Sequence, residues 1–110
     1  MAMNIIKTSR DFTGAELYKA TKSQSIKRMS DATGVITVND YVKYEDVKED
    51  GTAVTILSVI TPDGIFATNS STFIRTFEDI VQIMGELPID ITIGHDTSKN
   101  GRSYIYADLA

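Results

Sequence analysis

The chain has 110 residues, 42% hydrophobic and 24% charged, which suits one globular domain and is too short for an enzyme with a cleft between two domains. It has no cysteine, which excludes disulfide scaffolds, thiolate zinc sites and cysteine nucleophiles, and a single histidine, His95, which argues against histidine-rich metal sites and Ser-His-Asp triads. The net charge of −4 is uneven: residues 1–48 hold eight Lys/Arg against six Asp/Glu, residues 49–110 three against nine.

Residues 4–8 are expected to form a short strand. Thr13 and Glu16 have the spacing of a capping box, and a helix is expected over about 13–22. From Val35 the pattern takes period two. A long, half-exposed strand is expected over about 34–47, with Ile36, Val38, Val42 and Tyr44 on one face and Thr37, Tyr41 and Lys43 on the other. Asp40 interrupts the apolar face and signals a bulge or bend. Lys48 to Gly51 is a turn, and the β-branched run from Thr52 to Ile60 suits a central strand. Thr61-Pro62-Asp63-Gly64 is a tight turn leading to a third strand, Ile65 to Thr68.

Ser70, Ser71 and Thr72 supply N-cap hydroxyls. Phe73, Ile74, Phe77, Ile80, Val81 and Met84 then recur at helical steps up to Gly85. A helix is expected over 70–84. Ile89, Ile91 and Ile93 mark a fourth strand. Asp96 to Arg102 forms a polar loop, and Ser103 to Leu109 a fifth strand with Tyr104 and Tyr106 on its polar face. The order β-β-β-α-β-β matches the five-stranded OB barrel. The expected fold is therefore all-β with one or two helices: an OB-like barrel over 34–110, preceded by an N-terminal extension over 1–22.

No run is apolar enough to span a bilayer, and Met1 to Lys7 lacks the apolar stretch of a signal peptide; an intracellular protein without membrane contact is expected. Asp96 to Gly101 imitates the start of an EF-hand loop, but its twelfth position is Ala107 where a bidentate Glu should stand. No nucleophile, base and orienter can be assembled, so no enzyme activity, metal or cofactor is expected. The aromatic residues carry more. Tyrosines interleaved with cations on a sheet surface suit stacking of unpaired bases, with the cations following phosphates. The candidate DNA-binding residues are Tyr41, Lys43, Tyr44, Lys48, Phe66, Lys99, Arg102, Tyr104 and Tyr106. Residues 7–28 are the most basic stretch, and Lys19 to Arg28 is the fallback should that face fail.

The chain resembles the small single-stranded DNA-binding proteins of tailed phages with protein-primed replication. The resemblance rests on Gln24-Ser25-Ile26-Lys27, Tyr44-Glu45-Asp46-Val47, Thr55-Ile56, Asp63-Gly64, Asp79-Ile80 and the Gly94 to Arg102 stretch, in that order. It covers Ser23 to Ala110. It implies binding of single-stranded DNA without sequence preference, protection of displaced strands, a role in phage DNA replication or recombination beside other replication proteins, and the cytoplasm of a bacterial host. Homo-oligomerisation is also expected. The alternative is a β-barrel adaptor that binds another protein and no nucleic acid.

Overall fold

Side-chain chemistry sets both helices. The computed structural model describes residues 2–110, over which the chain forms eight strands and two α-helices. In α1 (Gly14–Thr21) the Thr13 hydroxyl accepts from the Glu16 N–H, and the Glu16 carboxylate accepts from the Thr13 N–H. This reciprocal pair satisfies two donors that a helix start leaves open. In α2 (Ser71–Met84) the Ser70 hydroxyl accepts from the Phe73 N–H, and Gly85 closes the helix in the left-handed conformation, φ 81°. Phe73, Ile74 and Phe77 make its buried stripe. Each such side chain contributes about 1.5–3 kcal/mol on burial.

The strands are β1 (Ala2–Thr8), β2 (Lys27–Arg28), β3 (Val35–Val38), β4 (Asp40–Val47), β5 (Ala53–Thr61), β6 (Gly64–Thr68), β7 (Ile89–Thr97) and β8 (Ser103–Leu109). They form two sheets, one ordered β1-β4-β5-β6-β2 and the other β3-β7-β8. The fold is thus mostly β with two α-helices, but the sheets do not close into one barrel. The physical reason lies at two strand edges. The edge of β6 is occupied by β2, which pairs with it in parallel, Lys27 beside Phe66 and Arg28 beside Ala67. On β8 the Ala107 N–H donates to Thr76 Oγ1 of α2 at 2.8 Å, and Ser70 Oγ donates to the Ile105 carbonyl at 3.4 Å. The helix meets the edge that a β6–β8 pairing would have used.

The expected long strand divides at Asn39. The Asn39 N–H and the residue Asp40 both face Ile60, so two residues oppose one. This bulge corrects the expected bend by one position and changes the side-chain parity that follows it. Ile36, Val38 and Tyr41 all enter the main core, with Leu57, Val59, Phe66 and the α2 stripe. Val42 and Tyr44 turn to the opposite face and are buried with Ala20, Leu17 and Phe12 under α1. Asp40 is held by Ser9 Oγ at 3.0 Å and by Arg10 Nε at 3.2 Å. Arg10 also grips Glu16, joining the start of α1 to the start of β4. β1 lies along β4, with a bulge between Ile5 and Lys7.

Among the described residues no helix is long and apolar enough to cross a membrane.

Candidate nucleic-acid interface

Three of the expected surface rings are inside the protein. Tyr41 is 6% exposed and meets the Phe77 ring edge-on at 5.4 Å between centroids. Tyr44 is 4% exposed and its hydroxyl donates to the Thr21 carbonyl at 3.3 Å. Burial raises the Tyr44 pKa above its ordinary value. Phe66 is buried in the main core, with Lys27 Nζ over its ring at 5.4 Å. These positions are corrected from surface to core. The reason is the parity change at Asn39 for Tyr41, the cover supplied by α1 for Tyr44, and the second sheet for Phe66.

The expected cations divide as well. Lys43 donates to both carboxylate oxygens of Glu78, at 3.1 and 3.2 Å, and is half-buried. It is a tether between β4 and α2. Lys48 is exposed in an acidic turn beside Glu49 and Asp50. Lys99 and Arg102 are exposed at the β7–β8 turn and have no carboxylate partner among the described residues.

Tyr104 and Tyr106 stand where the pattern puts them, facing away from the core while Ile105 and Ala107 face into it. Their ring centroids are 6.3 Å apart at a tilt of 46°. Asp96 pairs opposite Tyr104, and Gly94 opposite Tyr106. Asp90, Asp96 and Asp108 share this side of the sheet by register, so phosphates are repelled from its middle and drawn only toward Lys99 and Arg102.

The structure adds a groove in which Tyr44 is the one candidate residue. One depression, about 520 Å³, runs beside the segment after α1. Its walls carry Lys22, Ser23, Arg28 and Ser30; its floor is Tyr44, Ile56 and Ala67. Among the described residues no carboxylate lines it. A second depression, about 740 Å³, begins at the α2 N-terminus and ends at His95, Asp96 and Tyr104. Ser30, Thr68 and Asn69 line both, so the two adjoin and make one continuous channel. Of the candidate rings, Tyr44 lies buried in its floor, and Tyr104 lines its far end with surface open to solvent.

Its cations are held to different degrees. Arg28 Nε lies 3.4 Å from Asp31 across two largely exposed side chains, a pair that contributes little and yields to a competing anion. Lys22 Nζ lies 3.7 Å from Asp46, whose Oδ1 is buried, and is held more firmly. Lys27 turns the other way, donating to the Asp63 carbonyl at 2.9 Å. The usable sequence signal was the excess of cations over 7–28 and the basic 19–28 fallback. Ser30, Thr68 and Asn69 carry no charge or ring and gave no signal.

Among the described residues no group of three or more His, Asp or Glu is placed to hold a metal ion. Comparison with protein families, curated proteins and solved structures finds no match to this chain.

Proposed function

We propose that the chain binds single-stranded DNA without sequence preference, along the channel from Lys22 and Arg28 to Tyr104. The observation that carries this reading is a cation-walled groove free of carboxylates in a chain of net charge −4. Phosphates would follow Lys22 and Arg28, hydroxyls and the Asn69 amide would meet sugars and bases, and Tyr104 would stack on a base. The pairings also support an opened OB-like arrangement. β3 and β4 act together as a first strand, pairing with β7 and β5; α2 follows the third strand and fills the place of the missing β6–β8 pairing. The proposed biological role is coating of displaced single strands during phage DNA replication or recombination in the host cytoplasm, as an oligomer working beside replication proteins.

The test is a titration of fluorescein-labelled oligo-dT and of a duplex of equal length, at several salt concentrations. Three to five neutralised phosphates give a log-log salt slope of about −2 to −3.5 for the single strand. Replacing Lys22 and Arg28 with Ala should flatten that slope by about 0.7 per lost contact. Equal affinity for duplex and single strand would overturn the reading.

The protein-adaptor reading has its own observation. Ile5, Ile6 and Tyr18 are 40%, 50% and 63% exposed on β1 and α1, away from the channel. An adaptor would show no oligo-dT binding and would lose its partner when Ile6 and Tyr18 are made polar.

A further inference from the structure

Gly94 is out of place by the ordinary rules of strands. It lies inside the nine-residue strand β7, not at a turn, and its φ is not positive, unlike Gly85 and Gly101. A glycine inside a strand costs backbone entropy and gives up packing relative to alanine. Something must require it. A Cβ built on Gly94 would lie 2.1 Å from Cζ of Tyr106 and 2.4 and 2.5 Å from its two Cε atoms, deep inside van der Waals contact. The Tyr106 ring therefore lies across the β7 backbone in the space where a side chain would be. One ring face rests on the strand, Tyr104 stands 6.3 Å away, and the half-exposed ring keeps surface open to solvent.

We propose that Gly94 is a positioning residue for single-strand binding: it seats Tyr106 flat on β7 so that the ring's outer face, beside Tyr104, takes a base of the bound strand. This rests on the single-strand reading above and extends its path, since Tyr104 already lines the end of the channel. The carboxylates of Asp96 and Asp108 flank this seat by register, so the phosphates of the stacked nucleotide run on the side of Lys99 and Arg102. A ring seated on backbone needs no ordering when a base arrives, which is what makes a stacking platform effective. Any residue with a Cβ at position 94 lifts or turns the ring.

The experiment uses the full chain and fluorescein-labelled oligo-dT, with tyrosine emission as a second readout, because the chain has no tryptophan. Loss of one stacked base weakens binding roughly 5- to 150-fold. Gly94→Ala and Tyr106→Leu should each fall in that range and reduce the quenching of tyrosine emission at saturation. Tyr106→Phe, which keeps the ring, should bind within about twofold of the parent by the same stacking logic. The Gly94→Ala, Tyr106→Leu double variant should be no weaker than Tyr106→Leu alone, because the glycine acts through the ring.

Additive losses in the double variant would overturn the proposal, as would a Tyr106→Leu variant that binds and quenches like the parent. If Tyr106→Leu is neutral while Lys22→Ala and Arg28→Ala weaken binding, the platform is wrong and the single-strand reading stands. If the parent chain binds no oligo-dT, both fall. Should Gly94→Ala not fold, the Tyr106→Phe and Tyr106→Leu pair decides the outcome.

Discussion

Strands β4 and β8 each carry two tyrosines, and the protein treats the pairs in opposite ways. Tyr41 and Tyr44 are buried on opposite faces of β4, one against Phe77 and one beneath α1. Tyr104 and Tyr106 sit on a single face of β8 and remain partly open. The difference is one of cover. β4 is flanked by β1 and β5 and has a core on each side, so neither parity leads to water. β8 buries Ile105 and Ala107 on one side only. A tyrosine on a strand stays open to solvent when the second layer of the fold stops short of it, and becomes a packing group when it does not.

The largest test of this comparison is Tyr41→Ala against Tyr104→Ala. Removing a buried ring costs about 3–5 kcal/mol, so Tyr41→Ala should lower the denaturation midpoint strongly. Tyr104→Ala should shift stability by no more than about 0.5 kcal/mol while weakening oligo-dT binding. Urea unfolding of both variants measures the contrast, and equal losses of stability would erase it. A second test addresses why β8 remains at an edge. Thr76→Val keeps the shape of the side chain but removes the acceptor for the Ala107 N–H. Leaving that amide unpaired costs about 1–3 kcal/mol, with faster amide exchange at Ala107. Unchanged exchange would mean that α2 does not seal the strand.

The smallest expected effect concerns the cover over β4. Glu16 has its pKa lowered from 4.5 to about 2, first by the hydrogen bond from Arg10 and then by the Thr13 N–H. A carboxylate with a depressed folded pKa contributes stability above its unfolded value and loses it as pH falls through the folded one. The clasp on α1 should therefore be complete above pH 4.5 and lost on acidification toward 2. Both groups face solvent, so the effect is slight and screened by salt. Helical circular dichroism of the parent and of Glu16→Gln should differ above pH 4.5 and converge at the acidic end of that window.

Much of this was legible in the residues. The Thr13–Glu16 cap, the Ser70 cap, the α2 stripe and the β7 and β8 alternation are local chemistry and appear at the expected places. What stayed hidden depends on groups far apart in the chain. One extra residue at Asn39 moved Tyr41 from the polar face to the core; Asp40 signals a bend there, but not the change of parity that follows it. The two-residue strand β2 is too short for a periodic signal and exists because the edge of β6 is there to pair with. For the same reason the channel was only half visible: Lys22 and Arg28 stand out as charges, whereas Ser30, Thr68 and Asn69 line it only after the two sheets are set side by side.

The bulge at Asn39 also bears on the order in which the chain assembles. The β4-β5-β6 meander and the β7-β8 hairpin join neighbours in sequence through short turns, so their loop-closure cost is small. Pairing of β3 with β7 joins Val38 to Ile89, far apart in the chain. Long-range pairings of this kind slow folding. The bend lets one continuous segment belong to both units, so that whichever sheet forms first holds the free half of that segment close to its partner. Assembly then becomes a docking of two preformed pieces across a hinge of one residue, with the α2 stripe as the surface that fastens them.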